Sequence, residues 1–148
     1  MLAMEAGGTS VIELGVPYTD PQADGATIQL TNQIAIKGGT DSIKDVLGFV
    51  KEARSRGLTI PVILMGYYNP FFQYGVDALA ADTAAAGGDG FIVVDLPPEE
   101  GSTFVNTCAK HKLSYIPLIA PTSTDERIKY LLESASSFVY CVSVTGGE

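Results

Sequence analysis

The chain is short of histidine, cysteine and basic charge, and each shortage removes a class of function. Its one histidine, His111, stands in Lys110-His-Lys at the expected end of a helix, where the helix dipole favours a cation. With no other imidazole there is no serine or cysteine triad to assemble. The two cysteines, Cys108 and Cys141, lie far apart, and neither has a Cys or His at metal-ligand spacing. Both read as reduced core residues of a cytosolic protein. Nine basic against 17 acidic residues leave a net charge of −8, with the charges scattered. Such a surface repels phosphate backbones and disfavours nucleic-acid binding. No apolar run approaches the ~18 residues of a membrane helix. The opening Met1–Gly8 has neither a basic leader nor a long apolar core, so a cytoplasmic location is expected. No Gly-x-Gly-x-x-Gly follows a strand-like run and there is no P-loop, which argues against a nucleotide-binding open sheet.

What is present is a chain of 148 residues, 46% hydrophobic and with 16 glycines. That composition excludes disorder, and the length predicts a single domain over residues 1–148. Five short apolar runs have the character of strands buried on both faces: Val11–Gly15, Pro61–Gly66, Gly90–Asp95, Ser114–Ile119 and Phe138–Ser143. Between them lie helical patterns at Thr27–Lys37, Asp41–Arg56, Val76–Ala86, Pro98–Lys110 and Asp125–Ser134. Thr40-Asp-Ser and Thr124-Asp-Glu are N-terminal signals, Pro98 suits a first helical position, and Gly57 and Gly87-Gly88 mark helix ends. A weak repeat aligns Ala6–Pro17 with Ala86–Pro97, each a glycine cap, an apolar strand, an acid and a loop proline. The fold class is therefore α/β with a parallel sheet. Periodicity alone leaves open whether the sheet is doubly wound or part of a barrel.

In parallel α/β folds, chemistry sits at the C-terminal strand ends and the loops that follow. Glu13 interrupts an apolar strand, on the face opposite Ile12 and Leu14. A carboxylate there is expected to be desolvated, which raises its pKa toward the range useful for proton transfer. A strand-end Glu bonded to backbone is the competing reading. Asp24, just before Gly25, reads either as a turn or capping residue or as a second carboxylate facing the same ligand. Tyr67, Tyr68 and Asn69 follow the second strand run and Tyr140 lies within the fifth. Each of these also suits plain packing.

The segment Ile12-Glu-Leu-Gly-Val-Pro-Tyr-Thr-Asp-Pro-Gln-Ala-Asp-Gly25 resembles the signature of the tryptophan synthase α subunit family, departing from it at Ala26, where the family usually has Pro. Met65-Gly-Tyr-Tyr-Asn-Pro-Phe, Val94-Asp-Leu-Pro-Pro-Glu-Glu, Ile119-Ala-Pro-Thr and Phe138-Val-Tyr-Cys-Val-Ser extend the likeness along the chain. The resemblance implies a (β/α)8 (TIM) barrel that cleaves indole-3-glycerol phosphate into indole and glyceraldehyde 3-phosphate. It implies no cofactor in this chain, with pyridoxal phosphate carried by a partner β subunit or fused β domain. It implies Glu13 as the proton-shuttling acid/base and Asp24 as the carboxylate that holds and polarises the indole N–H. It also implies Tyr67 and Tyr140 as pocket aromatics and Thr145 as a loop threonine that orients Asp24. Asp20-Pro21 and Asn69-Pro70 are implied to face the β subunit.

A full barrel takes ~250 residues, so the expectation is a partial one of about five β/α units. By resemblance it lacks the first strand and the seventh and eighth, whose loops hold the substrate phosphate in this family. The chain alone is then expected to be inactive and to self-associate through its open edges. Two competing readings are an inactive remnant serving as a partner-binding or scaffold module, and a relative of indoleglycerol-phosphate synthase. The latter needs a lysine at a strand end, and no lysine lies in any strand run.

Overall fold

The computed structural model describes residues 1–143, the side chains of residues 98 and 99 excepted. The elements in chain order are α1 (Leu2–Ala6), β1 (Ile12–Gly15), α2 (Ala26–Lys37), α3 (Ile43–Ser55), β2 (Val62–Gly66), α4 (Tyr68–Tyr74), α5 (Val76–Ala86), β3 (Gly90–Val93), α6 (Pro98–Lys110), β4 (Ser114–Tyr115), β5 (Leu118–Ile119), α7 (Asp125–Ser134) and β6 (Tyr140–Cys141). All the strand pairs are parallel. The strands neighbour one another in chain order, β1-β2-β3-β4 and then β5-β6. A doubly wound sheet reverses its order at a switch point, whereas a barrel always adds the next strand on the same side. The order therefore resolves the question that periodicity left open, in favour of barrel-type winding.

The helices begin where local chemistry directs. In α3 the Ser42 hydroxyl accepts from the Asp45 amide, and the Asp45 carboxylate accepts from the Ser42 amide in return. Its buried Ile43, Val46, Leu47, Val50 and Ala53 recur at helical spacing and form one stripe. The Thr124 hydroxyl caps α7 by accepting from the Arg127 amide at 3.2 Å.

The register divides the sheet into two faces. Ile12, Val62, Leu64, Phe91, Val93 and Tyr115 join the helices in the main core. Ile63, Ile92 and Ile116 form a second buried cluster on the opposite face, with Met65 and Leu118 packed against it. This smaller cluster lines the inner side of the curved sheet. Glu13 pairs with Ile63, so its side chain belongs to that inner side.

At the N-terminal side of the strands Arg54 acts as a clamp. Its guanidinium donates to the carbonyls of Leu58, Ile60 and Gly87 and to Asp89 Oδ2 at 2.7–2.9 Å. Asp89 Oδ2 also accepts the Val62 amide at 2.8 Å. Gly87 has φ +90, and a Cβ there would lie 2.8 Å from Arg54 Cγ. That position needs glycine for both conformation and space.

Several expectations need correction. The run Ser114–Ile119 is two strands: Ser114 and Ile116 donate to the Asp89 and Phe91 carbonyls, and the chain then leaves β3 to pair with β6. The chain proceeds as β5, and the Pro117 carbonyl accepts the Tyr140 amide at 2.9 Å. Helix α4 carries no sequence expectation, and of α1 only the end at Ala6, before its glycine cap, is read from the repeat. Asn69-Pro70 reads as a loop, yet both residues lie in the first turn of α4, where a missing amide hydrogen costs nothing. Cys141 is exposed, not core, because β6 is an edge strand, while Cys108 is buried as expected.

Candidate active site

The loop Val16–Gly25 follows β1 and is tied to residues that follow β2. Tyr67 follows β2 directly, and its ring is 5% exposed. Its hydroxyl accepts the Ala23 amide at 2.9 Å, which fixes the loop one residue before Asp24. The Tyr18 ring packs against it with centroids 5.4 Å apart. A second tie lies beside the first: Asn69 Nδ2 donates to the Tyr18 hydroxyl at 3.1 Å.

Asp24 is half-buried. Its carboxylate accepts from Asn32 Nδ2 at 3.3 Å, and its carbonyl accepts from Gln29 Nε2 at 2.8 Å. The capping reading of Asp24 does not hold, because α2 is capped by Gly25 without a side-chain bond. Burial raises the Asp24 pKa, while the Tyr67 hydroxyl and the Asn32 amide pull it down. Burial and the neighbouring Asp24 charge push the Tyr67 phenol up to about 12, so it stays neutral at physiological pH.

Glu13 has its pKa raised by burial alone. It is nevertheless more exposed than an apolar strand face predicts. The reason is geometric: β1 is an edge strand, and only β2 flanks Glu13 in the sheet. A carboxyl with a raised pKa and, among the described residues, no cationic partner is suited to giving and taking a proton.

Of the other sequence candidates, Tyr140 stands in β6, 37% exposed and in register with Leu118, whose side chain joins the inner cluster. Tyr140 therefore belongs to the same inner side as Glu13. Asp20 and Pro21 lie in the β1–α2 loop, with Asp20 exposed. Asn69 and Pro70 open α4 beside that loop. Thr145 lies outside the described residues. His111 caps α6 and sits 3.3 Å from Asp77, which also binds Lys110 at 2.7 Å, on the outer helical layer. Sequence reasoning missed Tyr18 and Asn32. Asn32 is two helical turns beyond Asp24, a spacing that returns it to the same side and was the available signal. Among the described residues no group of three His, Cys, Asp or Glu could hold a metal ion.

Comparison with known proteins locates this arrangement. The family model for the tryptophan synthase alpha chain matches residues 1–147. The tryptophan synthase of Saccharomyces cerevisiae is 51% identical over 140 residues, covering 95% of this chain and 20% of the yeast protein. The tryptophan synthase alpha chain of Acidiphilium cryptum is 47% identical, covering 99% of this chain and 52% of its own length. The crystal structure of tryptophan synthase subunit alpha from Legionella pneumophila superposes with a TM-score of 0.91 at 40% identity, over 97% of this chain and 54% of that one. The chain thus spans about half the length of the alpha chains it matches. It belongs to the tryptophan synthase alpha chain family.

Proposed function

We propose that this chain is the carboxylate-bearing part of a lyase that cleaves indole-3-glycerol phosphate to indole and glyceraldehyde 3-phosphate by a retro-aldol reaction. The observation that carries the proposal is that β1 and the loop that follows it carry two carboxylates in unlike surroundings. Glu13 stands on the inner side with no charged partner among the described residues, and Asp24 is tied by Asn32 and faces Tyr67. Retro-aldol cleavage needs a group that protonates the departing indole carbon and takes the proton of the glycerol hydroxyl. Glu13, with its raised pKa, serves that role. The indole ring gains positive charge as it is protonated, and a fixed anion at its N–H stabilises that charge, which is the role of Asp24. The ring rests against Tyr67 and Tyr140.

Both steps are proton transfers and a carbon–carbon cleavage, so no cofactor is required in this chain. The residues 1–148 serve as one partial (β/α)8 barrel, and the substrate phosphate is held by the remainder of a complete alpha chain. A tryptophan synthase β subunit or β domain, carrying pyridoxal phosphate, receives the indole, with Asp20, Pro21, Asn69 and Pro70 facing it. Among the described residues no helix is long and apolar enough to cross a membrane, which suits a cytoplasmic setting.

The test grafts residues 1–148 in place of the matching half of a complete alpha chain and supplies indole-3-glycerol phosphate without added cofactor. Indole and glyceraldehyde 3-phosphate should appear in equal amounts. A stably folded graft that releases neither would favour the partner-binding module instead.

A further inference from the structure

The start of α4 raises a question of hydrogen-bond supply. A helix begins with backbone amides that have no intrahelical acceptor, and a side chain at the N-cap normally serves one of them. The N-cap of α4 is Tyr67, and it makes no such bond. Its hydroxyl is engaged elsewhere, accepting the Ala23 amide of the β1–α2 loop. The missing acceptor comes from another strand: Asp95, two residues beyond the end of β3, accepts the Tyr68 amide on Oδ1 at 2.6 Å. An anionic acceptor at so short a distance makes a strong, directional bond. The Tyr68 ring is meanwhile packed against Phe72 and Phe104, so the first turn of α4 is held on both its backbone and its side chain.

We propose that Asp95 is a positioning residue for Asp24, acting through the first turn of α4 and the Tyr67 hydroxyl; the proposal rests on the lyase reading for its kinetic consequence. Asp95 fixes the Tyr68 amide, and thereby the direction in which Tyr67 leaves β2. Tyr67 fixes Ala23, and Ala23 sets the entry to Asp24. Asn69, one residue past Tyr68, holds Tyr18 and so ties the same loop a second time. Three successive strand-end loops are laced together, and Asp95 is the link most removed from Asp24 along that series of contacts. Its exposure leaves it dispensable for the core. The Tyr67 phenol stays neutral, which keeps it as a stable post for the loop.

Two measurements separate this role from plain helix stability. Losing a cap costs roughly 1 kcal/mol, so local opening should become about five- to tenfold more frequent. In the 148-residue chain, Asp95→Ala should speed amide exchange at Ala23 about fivefold to tenfold while the amides of Leu64 and Met65 in β2 stay unchanged. In the grafted alpha chain the same substitution should lower kcat about tenfold and move KM less than about twofold, because Asp24 acts on charge that develops in the transition state. Asp95→Asn keeps an acceptor oxygen and should recover most of both losses. Unchanged exchange at Ala23 in Asp95→Ala would overturn the proposal. So would exchange rising equally throughout β2, or an Asn variant as impaired as Ala. A wild-type graft that releases no indole, with Ala23 still responding to Asp95→Ala, would refute the lyase reading and leave the positioning role standing.

Discussion

Glu13 and Asp24 both hold their protons more tightly than free carboxyls do, and that has a thermodynamic consequence. In the unfolded chain Glu13 has its ordinary value of 4.5, and in the folded chain burial raises it. The folded state therefore binds the proton better, and stability falls as pH rises from 4.5 through the raised value. At neutral pH the ionised carboxylate is a net cost to folding. Glu13→Gln should raise the melting temperature at neutral pH, and the gain should vanish well below pH 4.5. A melting temperature lowered at neutral pH would instead indicate a carboxylate that stabilises the strand. Asp24→Asn should cut turnover strongly in the grafted alpha chain while stability changes by no more than ~0.5 kcal/mol, as for most loop positions away from the core. A drop of several degrees would show that Asp24 is structural.

At the scale of elements, three helices have the bounds that period and punctuation predict: Val76–Ala86, Pro98–Lys110 and Asp125–Ser134. Ser42 and Thr124 fall where the N-terminal signals point. What the sequence could not show has physical causes. α4 is hidden by Asn69-Pro70, since a proline in a first turn looks the same as one in a loop. The two faces of β2 and β3 are both apolar, so only Glu13 reveals which side is inner. Glu13 and Asp24 were legible as candidates, but the bond from Asn32 to Asp24 and the packing of Tyr18 on Tyr67 form only in the folded chain. The Arg54 clamp is likewise invisible in sequence, because its partners are mainly backbone carbonyls. Arg54→Ala removes four hydrogen bonds and leaves Asp89 without its cation. A loss of about 2–3 kcal/mol is expected, since bonds to charged groups contribute ~1.5–3 kcal/mol each and water refills part of this half-open site. Denaturant unfolding measures it, and a loss below about 0.5 kcal/mol would class the clamp with ordinary surface pairs.

The whole molecule presents apolar surface at both ends of its sheet order. Val11 beside β1 is 42% exposed, and Phe138 and Tyr140 at β6 are 44% and 37% exposed. Helix α2 buries none of its residues, and Ile28, Leu30 and Ile34 stand in solvent at 50–61% exposure. Unpaired edges and open apolar faces promote association. The 148-residue chain by itself should therefore be larger than a 15.6 kDa monomer by light scattering, and a clean monomer would mean that these surfaces are tolerated. Catalysis is a property of a closed site that holds both carboxylates in register. The most direct test of the catalytic claim is the rate of indole release from indole-3-glycerol phosphate by the grafted alpha chain, with Glu13 and with Glu13→Gln. The Gln variant is expected to fold normally and to lose a factor of ~10²–10⁴, the usual cost of removing a proton-transfer group. A Gln variant that kept more than about a tenth of the original rate would contradict the assignment of Glu13 as the acid/base, since that loss falls well short of the ~10²–10⁴ typical of such a group.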